Sequence, residues 1–174
     1  MQKEKVLVDS EMDMTLDMDM VKGSGGSVYW FTEMSDIPRE FFIKYVENKS
    51  FLDLGCGDGR VVSLAMRCGA RVFRGIDNDN KFLKNSNMRR YIKKGNFLDV
   101  KLNQYDVLYY FLLSDFKNEL KLIEKLKNFQ GIIIVYYRKV SHKLKNFHDE
   151  IIKHGFEDIE NLKYLRVYEK GVKK

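Results

Sequence analysis

The sequence predicts an α/β domain: a doubly wound, mostly parallel seven-stranded sheet with a C-terminal antiparallel strand pair, plus an N-terminal extra strand or arm. Three observations predict it. The stretch Phe51-Leu52-Asp53-Leu54-Gly55-Cys56-Gly57-Asp58-Gly59-Arg60 couples a buried-strand pattern to three glycines at alternate positions, then to the helically spaced Val61, Val62, Leu64, Ala65 and Cys68. Downstream, strand-like and helix-like runs alternate as parallel strands joined by helical crossovers do. Near the C-terminus, Phe156 to Ile159 and Tyr164 to Tyr168 read as two strands joined by a tight turn.

With 174 residues and 44% hydrophobic content, the chain is long enough for one well-buried core. It divides into an arm and connector, residues 1–27, and a domain, residues 28–174. No apolar run approaches about 18 residues and no charged-then-apolar leader is seen, so no membrane span or signal peptide is expected and a cytoplasmic location is implied. Cys56 and Cys68 share no ligand spacing with the three histidines, so neither a zinc or other metal site nor a disulfide framework is expected. The formal net charge of +6 fits a solvated surface, an RNA or an acidic protein alike, because the lysines form no single run.

From Glu11 the arm alternates strictly, with Met12, Met14, Leu16, Met18 and Met20 on one side and Asp13, Thr15, Asp17 and Asp19 on the other. Period two predicts a strand, packed on its own domain or ordered by a partner. Gly23-Ser24-Gly25-Gly26-Ser27 reads as a connector. Val28-Tyr29-Trp30-Phe31 then precedes a helix that Thr32 or Ser35 can cap, with Pro38 in its first turn and Phe41, Phe42 and Tyr45 along one face. Trp30 is expected in the core, with the wall or lid of a cleft as its alternative.

After the first core strand comes a helix from Gly59 to Cys68. Strand Arg71 to Ile76 ends in Asp77, and a polar helix from Asn80 to Met88 leads to a short strand around Arg90 to Lys93. Tyr105 to Leu113 is apolar enough for a strand buried on both faces. Ser114 and Asp115 open a helix through Leu126, Gly131 to Tyr137 is the next strand, and a helix from Ser141 to His154 stops at Gly155.

Glycines that admit positive φ and bare the backbone, followed by a helix N-terminus, suit a nucleotide-like ligand. A dinucleotide turn of the type Gly-x-Gly-x-x-Gly would need a third glycine where the chain has Arg60. The pattern is instead Asp-x-Gly-x-Gly-x-Gly. Asp77 follows at a strand end, where a carboxylate can hold ribose hydroxyls, and Gly95-Asn96-Phe97-Leu98-Asp99 forms a further turn. These three features resemble motif I and the ribose- and adenine-binding segments of the class I S-adenosylmethionine-dependent methyltransferases. The resemblance implies S-adenosyl-L-methionine as cofactor, with S-adenosyl-L-homocysteine as product. It implies that Asp53 orients the loop or the methionine amine, that Gly55, Cys56 and Gly57 meet carboxylate and ribose, that Asp77 and Asn78 hold ribose, that Asn96 and Phe97 hold adenine, and that Tyr110 borders the cofactor. Asp58 and Asp99 are expected as turn or cap carboxylates.

The Asn/Asp-Pro-Pro-Tyr/Phe box of many base- and glutamine-methylating enzymes is absent: Pro38 is the single proline, and the corresponding segment reads Tyr109-Tyr110-Phe111-Leu112-Leu113-Ser114-Asp115. Together with Gly-Asn-Phe at 95–97, Phe-Leu-Leu-Ser at 111–114 is similar to the small archaeal-type protein lysine methyltransferases and their mitochondrial relatives, over roughly residues 28–140. The chain departs from them at Tyr29-Trp30-Phe31-Thr32, at Tyr136-Tyr137-Arg138 and in the methionine-rich arm. The resemblance implies a protein substrate whose lysine enters a slot lined by Tyr109, Tyr110 and Phe111, with Tyr110 the most cleft-facing. The alternatives are an RNA or small-molecule methyltransferase, without a dedicated RNA-binding module, and a noncatalytic scaffold that docks through Met12 to Met20.

Overall fold

A computed structural model describes residues 20–22, 28–112, 116–138 and 141–171. Strands β1 (Met20–Lys22) and β2 (Val28–Trp30) pair antiparallel as a separate two-stranded ribbon. The rest of the methionine alternation, from Met12 to Asp19, and the Gly/Ser connector lie outside the described residues.

The main sheet contains β3 (Ser50–Leu54), β4 (Val72–Asp77), β5 (Ile92–Lys94), β6 (Val107–Phe111), β7 (Gly131–Tyr136), β8 (Glu157–Asn161) and β9 (Leu165–Lys170), in the order β5-β4-β3-β6-β7-β9-β8. The first five are parallel; β9 runs antiparallel to β7, and β8 to β9. Helices α1 (Arg39–Val46), α2 (Arg60–Arg67), α3 (Asn80–Asn85), α4 (Phe116–Leu126) and α5 (Ser141–Lys153) connect or flank the strands. None of the described helices is long and apolar enough to cross a membrane.

Strand alternation sorts the core into two layers. Leu52, Leu54, Leu108, Tyr110, Ile133 and Val135 pack with Leu122 and Leu126 of α4 and Phe147 and Ile151 of α5. On the other face, Phe51, Val107, Tyr109, Phe111, Ile132 and Ile134 pack with Phe42 and Val46 of α1 and Val61 and Leu64 of α2.

Two helix boundaries differ from the sequence expectation. Helix α1 starts at Arg39 rather than at a Thr32 or Ser35 cap, because Ile37 precedes proline and is extended at φ −107°, ψ 96°; only a short 3-10 turn, Met34–Asp36, forms before it. Helix α3 ends at Asn85 rather than Met88. Ser86 is extended, its hydroxyl accepting from Met88 N at 2.9 Å and donating to the carbonyl of Asp58.

Strand β4 needs a glycine at its centre. A Cβ on Gly75 would lie 2.7 Å from both Cβ and Sγ of Cys56 and 2.9 Å from Val62. We therefore expect Gly75→Ala to lower stability by about 1–3 kcal/mol through overpacking. Adding Cys56→Gly should recover part of that loss, as read from denaturant midpoints.

Candidate active site

Chain order reverses beside β3. The chain proceeds outward from β3 to β4 and β5, then returns to β6 on the other side of β3. In open α/β sheets, ligands bind beyond the carboxyl ends of strands at such a point. A cavity of about 240 Å³ occupies this place; it is bordered by Asp53 of β3, by Gly55, Cys56 and Gly57 of the glycine turn, by Asp77 at the end of β4 and Asn78 after it, and by Asn96 and Phe97 after β5.

The turn is built to stay open. Gly55 has φ +86° and a Cβ placed there would meet no atom within 4 Å, so the space a side chain would fill belongs to the cavity. Gly57 has φ +51°, and its backbone lies under the Phe31 ring, 3.2 Å from where its Cβ would be. The Gly57 N–H donates to Asp77 Oδ2 at 2.8 Å, while Asp77 Oδ1 accepts from Asp79 N at 2.8 Å. Asp77 is thus fixed at the end of β4. Burial raises its pKa, opposed by the backbone donors of Asp79, Gly57 and Asn78.

Asp53 is the most secluded acid of the cavity, 3% exposed. Burial first, then the charges of Asp77 and Asp58, hold its pKa well above the ordinary carboxylate range. Among the described residues no donor reaches its carboxylate, whereas Asp58 is engaged: it accepts from Arg60 N at 3.1 Å in the turn that leads into α2, whose N-cap is Gly59, and pairs with the guanidinium at 2.8 Å. Cys56 packs against Gly75, and burial pushes its thiol up beyond any neutral-pH ionisation, as expected of a small loop residue rather than a nucleophile.

A segment that the sequence left ambiguous closes one side. The Arg60 guanidinium lies 4.4 Å from the centroid of Phe31, its Nη1 donates to the Thr32 carbonyl at 3.4 Å, and Thr32 Oγ1 shares a buried 2.9 Å hydrogen bond with Tyr109 Oη. Further along, Tyr136 Oη donates to Asp36 at 2.7 Å and accepts from Glu33 N at 3.3 Å, with Arg138 3.4 Å from the same Asp36 carboxylate. Trp30, expected in the core, is instead 37% exposed and borders the cavity with Phe31 and Thr32.

The aromatic strand presents the opposite phase from the one expected. Tyr109 and Phe111 border the cavity, whereas Tyr110 points to the other face, 5.9 Å from Phe97 and 6.1 Å from Phe147 by ring centroids. Tyr110 therefore backs Phe97 rather than lining the cleft. Asn96 also has a second duty, since its side-chain oxygen accepts from Leu98 N at 2.9 Å to cap the turn. Asn118 of α4, which no motif marks, completes the border, and Leu113 to Asp115 lie outside the described residues.

Replacing Thr32 with Val should leave the Tyr109 hydroxyl buried without its partner. A loss of about 1–3 kcal/mol is expected. Chemical denaturation of Thr32→Val against the parent chain measures it.

No protein family model and no curated protein matches the sequence. Solved structures do. A ribosomal protein methylase from Lactobacillus delbrueckii subsp. bulgaricus is similar with TM-score 0.64 at 15% identity, over 82% of this chain and 81% of that one. A methyltransferase from Pyrococcus furiosus gives 0.61 at 18% identity, over 77% and 82%. An RNA methyltransferase from Salinibacter ruber, solved with S-adenosyl-L-homocysteine, gives 0.54 at 18% identity, over 77% and 92%. The chain has the α/β fold of the S-adenosylmethionine-dependent methyltransferases.

Proposed function

We propose that the chain is an S-adenosyl-L-methionine-dependent methyltransferase that methylates the amine of a protein lysine. The cofactor assignment rests chiefly on Asp53, a buried acid without a donor among the described residues, beside the open Cβ position of Gly55. A cationic amine and a close-lying backbone ligand satisfy both features. Asp77 keeps further lone pairs for ribose hydroxyls, and Phe97, backed by Tyr110, supplies an apolar wall for adenine. When bound, this cofactor supplies an activated sulfonium methyl, leaving the protein to align a nucleophile and exclude water.

The lysine acceptor is supported by the aromatic end of the cavity, where Tyr109 and Phe111 stand with Trp30 and Phe31. Neutralising a lysine at pH 7 costs about 4.6 kcal/mol from its ordinary pKa near 10.4. Aromatic walls reduce that cost by desolvating the amine and can hold its residual cationic form. The Tyr109 hydroxyl is buried and its pKa held well above 10, so it is a wall and not a base. The absence of the proline box and the likeness to a ribosomal protein methylase agree with a protein amine.

The test is transfer of labelled methyl from S-adenosyl-L-methionine into a host lysate. We expect protease-sensitive label recovered as methyl-lysine. Ribonuclease-sensitive or small-molecule label would replace the acceptor, and bound cofactor with no transfer would favour a noncatalytic scaffold.

Asp53→Asn separates binding from stability. Cofactor affinity should weaken by about 1.5–3 kcal/mol, the range of a charge-assisted hydrogen bond, while the denaturation midpoint of the free chain rises because folding no longer carries the cost of bringing an ionisable carboxyl into a desolvated site. The raised pKa also sets a sign. In the free chain its stabilising contribution is complete below the ordinary carboxylate pKa and is lost as pH rises through the raised one. Cofactor binding needs the ionised form, so it releases protons and weakens as pH falls through that same range. Calorimetry in buffers of different ionisation enthalpy should show the release in the parent chain and its loss in Asp53→Asn.

A further inference from the structure

The excess charge of the chain is gathered in one place by the fold. Residues 71–101 hold nine arginines and lysines against three aspartates, a net of six that equals the formal charge of the whole chain; the other residues balance. All nine cations are exposed, whereas Asp77 and Asp79 are buried. Arg71 pairs loosely with Asp106 at 3.8 Å, but Arg74, Lys84, Arg89, Arg90, Lys93 and Lys94 form no ion pair among the described residues.

These six belong to β4, α3, the loop after α3, and β5, the strand at the edge of the sheet. Two concavities adjoin that edge. One, of about 590 Å³, is bordered by Lys84, Arg89, Arg90 and Tyr91; the other, of about 440 Å³, is bordered by Arg74, Lys93 and Lys94 and shares Gly95 and Asn96 with the cofactor cavity. The half-buried ring of Tyr91 lies 4.7 Å from Phe73 and carries the Arg74 guanidinium 5.7 Å from its centroid.

We propose that this β4–α3–β5 edge binds RNA through its phosphate backbone and holds it beside the methyl-transfer cleft. Lysines on an edge strand also keep copies of a chain from pairing, which accounts for Lys93 and Lys94. It does not account for Lys84, Arg89 and Arg90 on the preceding helix and loop, or for Arg74 on the inner strand. A set of cations without ion-pair partners among the described residues, with an aromatic ring and a neighbouring guanidinium in its midst, is the chemistry of a nucleic-acid groove, where phosphates meet the cations and bases meet aromatic and guanidinium planes. The surface is independent of the acceptor reading, because it is defined by charge and continuity with the cleft.

The experiment is fluorescence anisotropy of a labelled, mixed-sequence single-stranded RNA of about 16 nucleotides, titrated with the full chain at several salt concentrations. We expect affinity to fall steeply with salt. The variant R89Q/R90Q/K93Q/K94Q should lower the slope of log affinity against log salt by about 3, from roughly 0.7 for each phosphate contact. Its thermal midpoint should be unchanged. A control, K145Q/K153Q, neutralises two α5 lysines already paired with Asp149 and Glu150 and should leave the slope unaltered. If the fourfold variant does not fold, R89Q/R90Q and K93Q/K94Q should each lower the slope by about 1.4. Salt-insensitive or absent RNA binding, an equal loss in the control, or equal displacement of the RNA by polyglutamate would overturn the proposal. Because the readout is RNA binding, it stands or falls separately from methyl transfer.

Discussion

The joint between the glycine turn and the carboxyl end of β4 is the constraint on which the site depends. Three backbone donors of the turn are spent there: Gly55 N and Cys56 N on the Ile76 carbonyl, at 2.8 and 3.1 Å, and Gly57 N on Asp77. The Cys56 side chain fills the gap left by Gly75, so hydrogen bonding and packing fix the same register. The turn is therefore rigid before any ligand arrives, and its bare side at Gly55 stays open. Preorganisation of this kind lowers the ordering that binding must impose.

Around that joint the fold separates two electrostatic environments. The cleft contains Asp53, Asp58 and Asp77, and among the described residues Asp58 alone of the three is paired with an adjacent guanidinium. The neighbouring edge carries cations with few acidic partners. A cationic group is favoured in the cleft and a polyanion along the edge, so the two surfaces take different partners without competing. The segment from Phe31 to Asp36 joins the cleft to the rest of the domain through Arg60, Tyr109 and Tyr136, three residues from separate elements. Movement of this segment would expose the buried Thr32–Tyr109 hydrogen bond, which favours the closed arrangement seen here.

The features legible in the sequence are those that local chemistry dictates. Three alternate glycines between a buried strand and a helix specify the turn, and Asp77 follows from its place at a strand end. The position of Tyr110 was not legible: β6 is apolar on both faces, so period two fixes that neighbours oppose each other but gives no polar face to set the phase. Asn96 was read as an adenine ligand from its position, yet an Asn before a 3-10 turn also caps it, and the structure shows that bond. Trp30 lay beyond local reasoning, because its exposure depends on the β1–β2 ribbon and on the segment fastened by Arg60. The charge cluster was hidden for a related reason. Its cations are interrupted in the sequence by apolar and buried acidic residues, and only the pairing of β4 with β5 brings them onto one edge.

The most direct measurement is calorimetric titration of the full chain with S-adenosyl-L-methionine and, separately, with NAD. The account predicts one S-adenosyl-L-methionine per chain and no binding of NAD, because Asp53 and Gly55 suit an amine-bearing ligand and Arg60 replaces the third glycine of a dinucleotide turn. Tight binding of NAD, or a folded chain that takes up no S-adenosyl-L-methionine, would contradict it.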